Sequence, residues 1–545
     1  MRPSRGLSLE RIVLLLVVGF VGAFALAPAG YLFAVSLHDG GGIAGVAAVL
    51  AETGTRASIG QSLLQGTLSA LVGMALGYPA GVFLGRYRWR GDTWVRSLLL
   101  VPFLLPSLVV VVGLGELFGR SGFLGDPLAA LRFLASGLPG IVATNLLFNV
   151  PVIVLFTASG CEASSVELEE SVAALGGGPL RAYRECWAGP SWTGAACGGL
   201  LTFVFSALSF APPLLLCRAG CATVEVRVWQ LAAGSELDPA AAGLLSLVLV
   251  VGFLAPALAY LLLARRLSAS AAAVPAPRRR PVPWRSPAAW GLAAAMGLVL
   301  ATETSLLAVV VLRSLLAPNT SGFGVGWSLL FASRTADRLG ITVGHLLLNT
   351  VGFAALAAVV GLLVALASAF VGARRPGASL ALGLVVFVPV LLSPIVLAFA
   401  LSAFWGPLLG GEPNVWLLIV LSQGLLGLPL ALQSLELPLA ALPASVRESA
   451  QTLGASSWGA FVDAELPRLS RGVETAALFS LALGLGEFTA TYFLVTPQFT
   501  TLSVAVYAFQ QRGLFAASAP AAALLLLLSL AVYATTVAGA RRASR

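Results

Sequence analysis

The side chains whose types and spacing point to a chemical role form two short acidic segments. Both have a Glu-Ser pair followed after three residues by Leu-Gly: Glu170, Ser171, Leu175 and Gly176 in one copy, and Glu448, Ser449, Leu453 and Gly454 in the other. The two copies are offset by 278 residues, and the offset holds without a gap from Pro151 to Trp229. A match of that length indicates an internal duplication. Each segment is a polar island in an apolar half, so both are predicted to act outside the lipid.

The composition indicates which solvent surrounds the rest of the chain. Of its 545 residues, 58% are hydrophobic and 10% are charged, and the mean hydropathy is +0.94, which predicts an all-α polytopic membrane protein. Continuous apolar runs of roughly 20 residues fit a hydrocarbon core of about 30 Å and disfavour a β-barrel. About twelve transmembrane helices are predicted, six in each homologous half, near residues 12–37, 60–85, 97–118, 138–160, 194–217, 241–264, 289–316, 343–372, 379–405, 414–435, 473–496 and 517–540.

The distribution of arginine along the chain predicts its orientation in the membrane, and a stretch rich in proline and arginine predicts the boundary between two domains. The chain has no lysine, and 23 of its 32 arginines fall inside if both termini are cytoplasmic, in agreement with the positive-inside rule. The net charge of +9 is then explained by the membrane orientation and by attraction to anionic lipid, and not by binding to nucleic acid. We predict a first transmembrane domain at 1–267, a Pro-rich and Arg-rich linker at 268–287 that is an extended tether, and a second transmembrane domain at 288–545.

Cysteine spacing gives no metal site, and none is predicted. Cys217 and Cys221 lie at the outer end of the fifth predicted span, where they either pair or remain two free thiols at a helix end. Two free thiols are the favoured prediction.

The two polar islands predict a repeated helix-turn-helix. Helix-forming residues run from Glu162 to Gly176 and from Leu439 to Gly454, and each run ends at a glycine suited to a left-handed cap. Second short helices follow from Pro179 to about Trp187 and from Ser457 to about Leu466, and they present Tyr183 or Phe461. Such a unit with an aromatic knob is suited to dock into a groove on another protein. The alternative is an ordinary solvated loop with one end under the bundle.

At these residues the sequence resembles a known family. The segments Glu448-Ser449-Ala450, Leu453-Gly454-Ala455 and Glu465-Leu466-Pro467 are similar to the EAA loop of binding-protein-dependent ABC importer permeases. The first copy matches through Glu170, Gly176, Pro179, Ala182 and Tyr183 but has Gly189-Pro190 where the family has Leu-Pro, so it is open whether that copy docks in the same way. The resemblance implies that the ATPase-coupling residues are Glu170, Ser171, Gly176, Tyr183, Glu448, Ser449, Gly454, Phe461 and Pro467.

The fused two-domain form, together with Ser209-Phe210-Ala211-Pro212 and Gly486-Glu487-Phe488, is most similar to the thiamine and iron(III) permeases. The resemblance implies a subunit of the bacterial inner membrane that receives its substrate from an extracytoplasmic binding protein. Two copies of a cytoplasmic ABC ATPase would bind ATP and magnesium. This chain is predicted not to be an enzyme and to hold no cofactor, because a Walker A motif needs a lysine.

Two other classes of protein account for only part of the sequence. A twelve-span secondary transporter would bury a coupling carboxylate or histidine, for which Glu303, Glu487 and His345 are candidates, but the paired loops have no role in it. A membrane-embedded enzyme needs clustered acids or histidines, and the chain has two histidines, His38 and His345.

The translocation path is predicted from polar side chains inside spans, since these tend to face the bundle interior. The candidates are Glu487, Ser209, Asn145, Asn349 and Gln423. Each Asn or Gln has the alternative role of an interhelical hydrogen-bond partner. The identity of the substrate stays open.

Overall fold

The computed structural model of the chain describes residues 9–99, 101–102, 106–119, 122, 129–217, 221–234, 236–272, 279–316, 324–332, 340–409, 411, 413–440 and 442–542. The chain forms two compact units. Unit 1 contains residues 1–45, 231–246 and 327–545, and unit 2 contains residues 46–230 and 247–326.

Unit 1 consists mainly of helices from the second sequence half. Its regular elements are Leu9–Val21, a π-helical turn at Gly22–Leu26, Ala27–Asp39, Val343–Arg374, Pro376–Leu391, Pro394–Leu409, Val415–Ala440, Ala444–Thr452, Ser457–Gly459, a π-helical turn at Ala460–Glu465, a 3-10 turn at Leu466–Leu469, Ser470–Gly486, Thr489–Leu494, Leu502–Gln511 and Phe515–Arg542. The helix Val325–Leu330 begins two residues before the last segment of this unit.

Unit 2 consists mainly of helices from the first half. Its regular elements are Thr53–Arg86, Asp92–Leu98, Ser107–Phe118, a 3-10 turn at Ala129–Ala135, Gly137–Glu162, Val166–Ala174, Pro179–Ala182, a π-helical turn at Tyr183–Trp187, Ala188–Ala207, Ala211–Leu216 and Pro287–Leu315. The helices Gly42–Ala51, Val224–Ala232 and Pro239–Ala272 have residues in both units.

Each unit contains the first span of the other sequence half. In unit 1 the Leu9–Val21 helix packs on Val343–Arg374, and Trp405 donates its ring N–H to the carbonyl of Ala23 at 3.1 Å. In unit 2 the Pro287–Leu315 helix packs on Thr53–Arg86. The compact units thus differ from the repeat-based domains at 1–267 and 288–545, whose boundaries concern homology and stay a prediction.

Close helix packing in unit 2 depends on glycine. A Cβ at Gly81 would lie 2.5 Å from the Thr157 Cβ, and one at Gly85 would lie 2.5 Å from the Ala158 carbonyl oxygen. Small residues let two membrane helices approach at backbone distance. This contact fixes the end of Thr53–Arg86, and with it Arg86, against Gly137–Glu162.

The predicted all-α polytopic class is confirmed. Within the described residues, eight helices are long and apolar enough to span a bilayer, or nine if one bent pair counts as a span, against twelve predicted. The eight match the first, second, fourth and sixth predicted spans of each half. The third and fifth predicted spans are interrupted: Asp92–Leu98 with Ser107–Phe118, Ala188–Ala207 with Ala211–Leu216, Pro376–Leu391 with Pro394–Leu409, and Ser470–Gly486 with Thr489–Leu494.

Matching hydrogen bonds mark the duplication in three dimensions. The backbone N–H of Val224 donates to the Ser62 hydroxyl at 2.9 Å, and that of Leu502 donates to the Thr350 hydroxyl at 2.7 Å. Leu502 follows Val224 by the 278-residue offset, while Thr350 follows Ser62 by 288 residues. The repeat therefore preserves an interhelical contact as well as a sequence pattern.

Two predictions are corrected here. Cys217 and Cys221 form a disulfide with their Cα atoms 5.5 Å apart, so the prediction of two free thiols is wrong. The linker is more structured than an extended tether at both ends. Its first residues continue the Pro239–Ala272 helix, and Arg280–Pro281 pairs in parallel with Tyr87–Arg88; residues 273–278 lie outside the described part.

Candidate functional site

The first acidic segment lies in loop A, defined here as residues 164–187. The Ser165 hydroxyl caps the Val166–Ala174 helix by accepting from the Leu168 N–H at 3.3 Å. Gly176 then has φ +77°, and the next N–H, from Gly177, returns to the Val172 carbonyl at 2.9 Å. This is the glycine-terminated helix end that the sequence predicts, because only glycine adopts positive φ without cost.

The second segment lies in loop B, defined as residues 442–469, and repeats that geometry. The Ala444–Thr452 helix ends before Gly454, which has φ +91°. The N–H of Ala455 returns to the Ala450 carbonyl at 3.0 Å. Ser456 caps the following turn by accepting from the Gly459 N–H at 3.0 Å. The predicted left-handed glycine is thus confirmed in both loops.

The aromatic residues of the loops do not project outward as predicted knobs. Phe461 is 2% exposed and packs with Phe370 and Leu469. The Tyr183 hydroxyl accepts from the Trp192 ring N–H at 2.8 Å and lies 3.1 Å from the Tyr78 hydroxyl. Burying an aromatic ring is more favourable than leaving it in water. These two residues therefore hold the loops against the helices by packing and hydrogen bonding.

Leucines supply the outward apolar surface instead. Leu175 is 82% exposed and Leu453 is 89% exposed, each directly before the positive-φ glycine. The Glu-Ser pairs, Glu170 with Ser171 and Glu448 with Ser449, are exposed on the adjoining helix, and Pro467 is exposed as well. Loops A and B therefore present the same combination of a leucine and a carboxylate at repeat-matched positions.

Sequence reasoning missed the arginine that holds each loop. Arg86 ends the Thr53–Arg86 helix and makes a bidentate ion pair with Glu169, which is 3% exposed. Its guanidinium also lies 4.3 Å from the centre of the Trp187 ring. The bidentate geometry and the ring stacking both favour arginine at this position.

Arg374 is its counterpart in loop B, 288 residues later. It pairs with Glu465 at 3.0 Å, donates to the Ser457 carbonyl at 3.0 Å, and lies 4.2 Å from the centre of the Phe370 ring. The carboxylate comes from a different loop position in each repeat. The 288-residue offset could have identified the two arginines from sequence, because it aligns Arg86 with Arg374. It does not align the carboxylates that they bind, Glu169 and Glu465.

The path candidates of unit 2 belong to one buried polar cluster. The Gln65 amide donates to the Ser206 carbonyl at 2.6 Å and to the Ser209 hydroxyl at 3.1 Å. Asn149 donates to the Asn145 carbonyl at 2.8 Å, and Asn145 lies 3.4 Å from the Ser69 hydroxyl. Asn149 also lies 3.4 Å from the Ser206 hydroxyl, which links the two parts of the cluster. Ser209 and Asn145 therefore each take part in an interhelical hydrogen bond, with Gln65 and Ser69 respectively.

In unit 1 the structure groups Glu487 with Gln423. The Glu487 carboxylate accepts from the N–H groups of Ala490 and Thr491 at 2.7 and 2.9 Å, and from the Thr491 hydroxyl at 2.7 Å. Gln423 donates to the same hydroxyl at 3.1 Å. Asn349 is separate, because its amide holds the carbonyls of residues 498 and 500 at 2.9 and 3.0 Å.

Helix breaks coincide with these clusters. The fifth predicted span is interrupted around Ser209 in one half and at Glu487 in the other, which are repeat-matched positions. In the third span of the second half, Ser393 has φ +62° where two helices meet at 92°. Discontinuous membrane helices leave backbone polar groups available inside the bilayer, and transporters use such groups at substrate sites.

Sequence comparison identifies permease proteins that this chain resembles. No family model matches the chain. It is 26% identical to the thiamine transport system permease protein ThiP of Escherichia coli (strain K12), over 87% of each chain. It is 27% identical to the molybdenum transport system permease protein ModB of Mycobacterium tuberculosis, over 34% of this chain and 70% of that protein. It is 28% identical to a probable molybdenum ABC transporter permease protein of Haloferax volcanii, over 33% of this chain and 65% of that protein.

The fold and the repeated loops define a multi-pass all-α membrane protein built on an internal duplication. The chain is homologous to the permease proteins of ABC transport systems, in a form with two permease domains fused in one chain. Permease proteins are transport subunits rather than enzymes.

Proposed function

We propose that this chain is the membrane permease subunit of an ATP-driven importer, and that loops A and B each dock one ABC ATPase subunit. The observation that carries this proposal is the repeated surface. Each loop presents an exposed leucine and an exposed carboxylate beside a positive-φ glycine. Two such surfaces on one chain predict two copies of the ATPase, which would hold ATP and magnesium.

The loops have the rigidity that force transmission requires. Arg86 ties loop A to the end of Thr53–Arg86, and Arg374 ties loop B to the end of Val343–Arg374. Movement of a docked ATPase would therefore act on a long span through a buried ion pair. Rigid-body movement of packed helices is a common basis of alternating access.

We propose thiamine as the substrate, delivered by an extracytoplasmic binding protein. The supporting observation is the match to a thiamine permease over 87% of the chain. Iron(III) is the other substrate that the resemblance implies, but the permeases compared above are named for thiamine and molybdenum. We also propose that both termini and both loops lie in the cytoplasm, and the arginine distribution supports this orientation.

The test is uptake by proteoliposomes that contain the chain with its candidate ATPase and binding protein. Labelled thiamine should accumulate only with ATP and binding protein, and labelled iron(III) or molybdate should not. Thiamine uptake without ATPase that collapses with a protonophore would instead establish a secondary transporter. ATP-dependent uptake of a different solute would retain the permease role and reject thiamine.

A further inference from the structure

The C-terminal part of the linker between the halves lies against loop A. Arg279 pairs with Asp92 at 2.7 Å, and its Nε lies 3.9 Å from a Glu162 oxygen. Arg280 lies 3.7 Å from an oxygen of Glu169 and 3.9 Å from one of Glu170. Two consecutive linker arginines thus contact carboxylates before loop A and within it.

Backbone and apolar contacts fix the same segment. Tyr87 pairs with Arg280 and Arg88 with Pro281 in a short parallel ladder. Val282 packs against the core cluster that contains Phe83 and Leu84. The backbone of this segment is therefore fixed beside loop A, so its arginines start from a fixed position.

The Glu169 carboxylate lies between two arginines. Arg86 binds it from the end of the long helix, and Arg280 approaches from the linker. Glu170, the next residue, is 68% exposed and carries the acidic position of the repeated motif. Arg280 therefore contacts both the carboxylate that anchors loop A and the carboxylate that loop A presents outward.

Loop B is held differently. Its described ion pair joins Arg374 to Glu465, both from the second sequence half. Loop A has Trp187 at the position equivalent to Glu465, and it contains the consecutive glycines 176–178, which add backbone entropy to be overcome. Loop A is therefore held by Arg280 of the linker in addition to its ion pair with Arg86.

We propose that residues 279–282 of the linker are a positioning segment of loop A, which keeps that loop in the conformation that presents Glu170 and Leu175. This deepens the proposed function, because it assigns the linker a part in the first ATPase-docking surface. The linker segment would then contribute to the function of the first half as well as connecting the two halves.

A native thiol reports on this contact. Cys186 lies in loop A, is 6% exposed, and accepts a hydrogen bond from the Ser164 hydroxyl through its carbonyl at 3.1 Å. Burial raises the pKa of the Cys186 thiol, which further slows its reaction with a maleimide. Loosening of loop A should expose the thiol, and the labelling rate then follows the population of the opened loop.

The experiment measures maleimide labelling of Cys186 by mass spectrometry in the purified full-length chain. Arg280→Ala removes two partly exposed ion pairs and is expected to raise the rate about fivefold. Arg279→Ala should raise it less, and Arg280→Lys should restore part of the protection. Arg285→Ala is the matched control, because Arg285 is exposed in the same stretch and forms no ion pair with the described carboxylates.

Equal labelling in the Arg280→Ala and Arg285→Ala variants would overturn the proposal. Cys197, which is fully buried in a span, is the internal reference. A rise at Cys197 equal to that at Cys186 would also contradict it, because the linker would then support the whole unit rather than loop A. The labelling needs neither ATPase nor substrate, so its outcome is independent of the transport assay.

Discussion

Replacement of the arginine that holds each loop tests the structural account most directly. Arg374→Gln removes the cation of a pair whose two side chains are each 6% exposed. Loss of one partner from a buried pair costs about 3–5 kcal/mol, because the remaining charge is left unpaired. Local opening of loop B should therefore increase roughly 150-fold at the lower end of that range.

Arg86→Gln should cost loop A less. Glu169 is 3% exposed, but Arg280 stays 3.7 Å from one of its oxygens, so the carboxylate keeps a cation nearby. A loss of about 2 kcal/mol is expected, which corresponds to a roughly 30-fold increase in opening. The combination of Arg86→Gln with Arg280→Ala should then exceed the sum of the two single effects.

Hydrogen-deuterium exchange of the loop amides measures both effects. The N–H of Ala455 in loop B and that of Gly177 in loop A close their helix ends at 3.0 and 2.9 Å, so both should be protected. Arg468→Gln is the control in loop B, since Arg468 is exposed. The reasoning fails if exchange in loop B rises less than about threefold in Arg374→Gln, or if loops A and B respond equally to their own substitutions.

Three other predictions concern the loops and the orientation. Gly454→Asp should reduce uptake per assembled complex more than Gly176→Asp, because glycines 177 and 178 can take over positive φ after a one-residue shift; equal loss in uptake assays would refute this asymmetry. Leu453→Ser and Leu175→Ser, at 89% and 82% exposed, should each weaken ATPase binding about tenfold without changing the thermal unfolding of the chain, and unchanged affinity in a pull-down titration would exclude those leucines from the interface. A phosphatase fused after Arg545 should be inactive in intact cells, whereas an active fusion would reverse the orientation.

Local features of the loops were predictable from sequence. A glycine that follows a helix-forming run implies positive φ from backbone sterics alone, and Gly176 and Gly454 have that conformation. Whether Tyr183 and Phe461 point outward depends on what lies beneath them. The sequence does not show that Phe370 and Leu469 surround Phe461, so the outward orientation was predicted wrongly.

The breaks in the third and fifth spans were not predictable from hydropathy. A window of about 20 residues averages over one polar residue, so Glu487 does not interrupt an apolar run. What ends the helix is a local change of backbone direction, such as φ +62° at Ser393. The ion pairs of Arg86 and Arg374 were missed for a related reason, since their partners lie 83 and 91 residues away.

The exchange of first spans between the units has a consequence for how the protein is made. Ala23 and Trp405 are hydrogen-bonded but 382 residues apart, which at about 5–20 residues per second means an interval of about 20–75 s during synthesis. Until then the N-terminal helices lack the partners that Val343–Arg374 and Pro394–Leu409 provide, because those helices are synthesised later. All residues of unit 2 have been synthesised once the ribosome has passed residue 326. Unit 1, in contrast, combines residues 1–45, which are made early, with residues 327–545, which are made last.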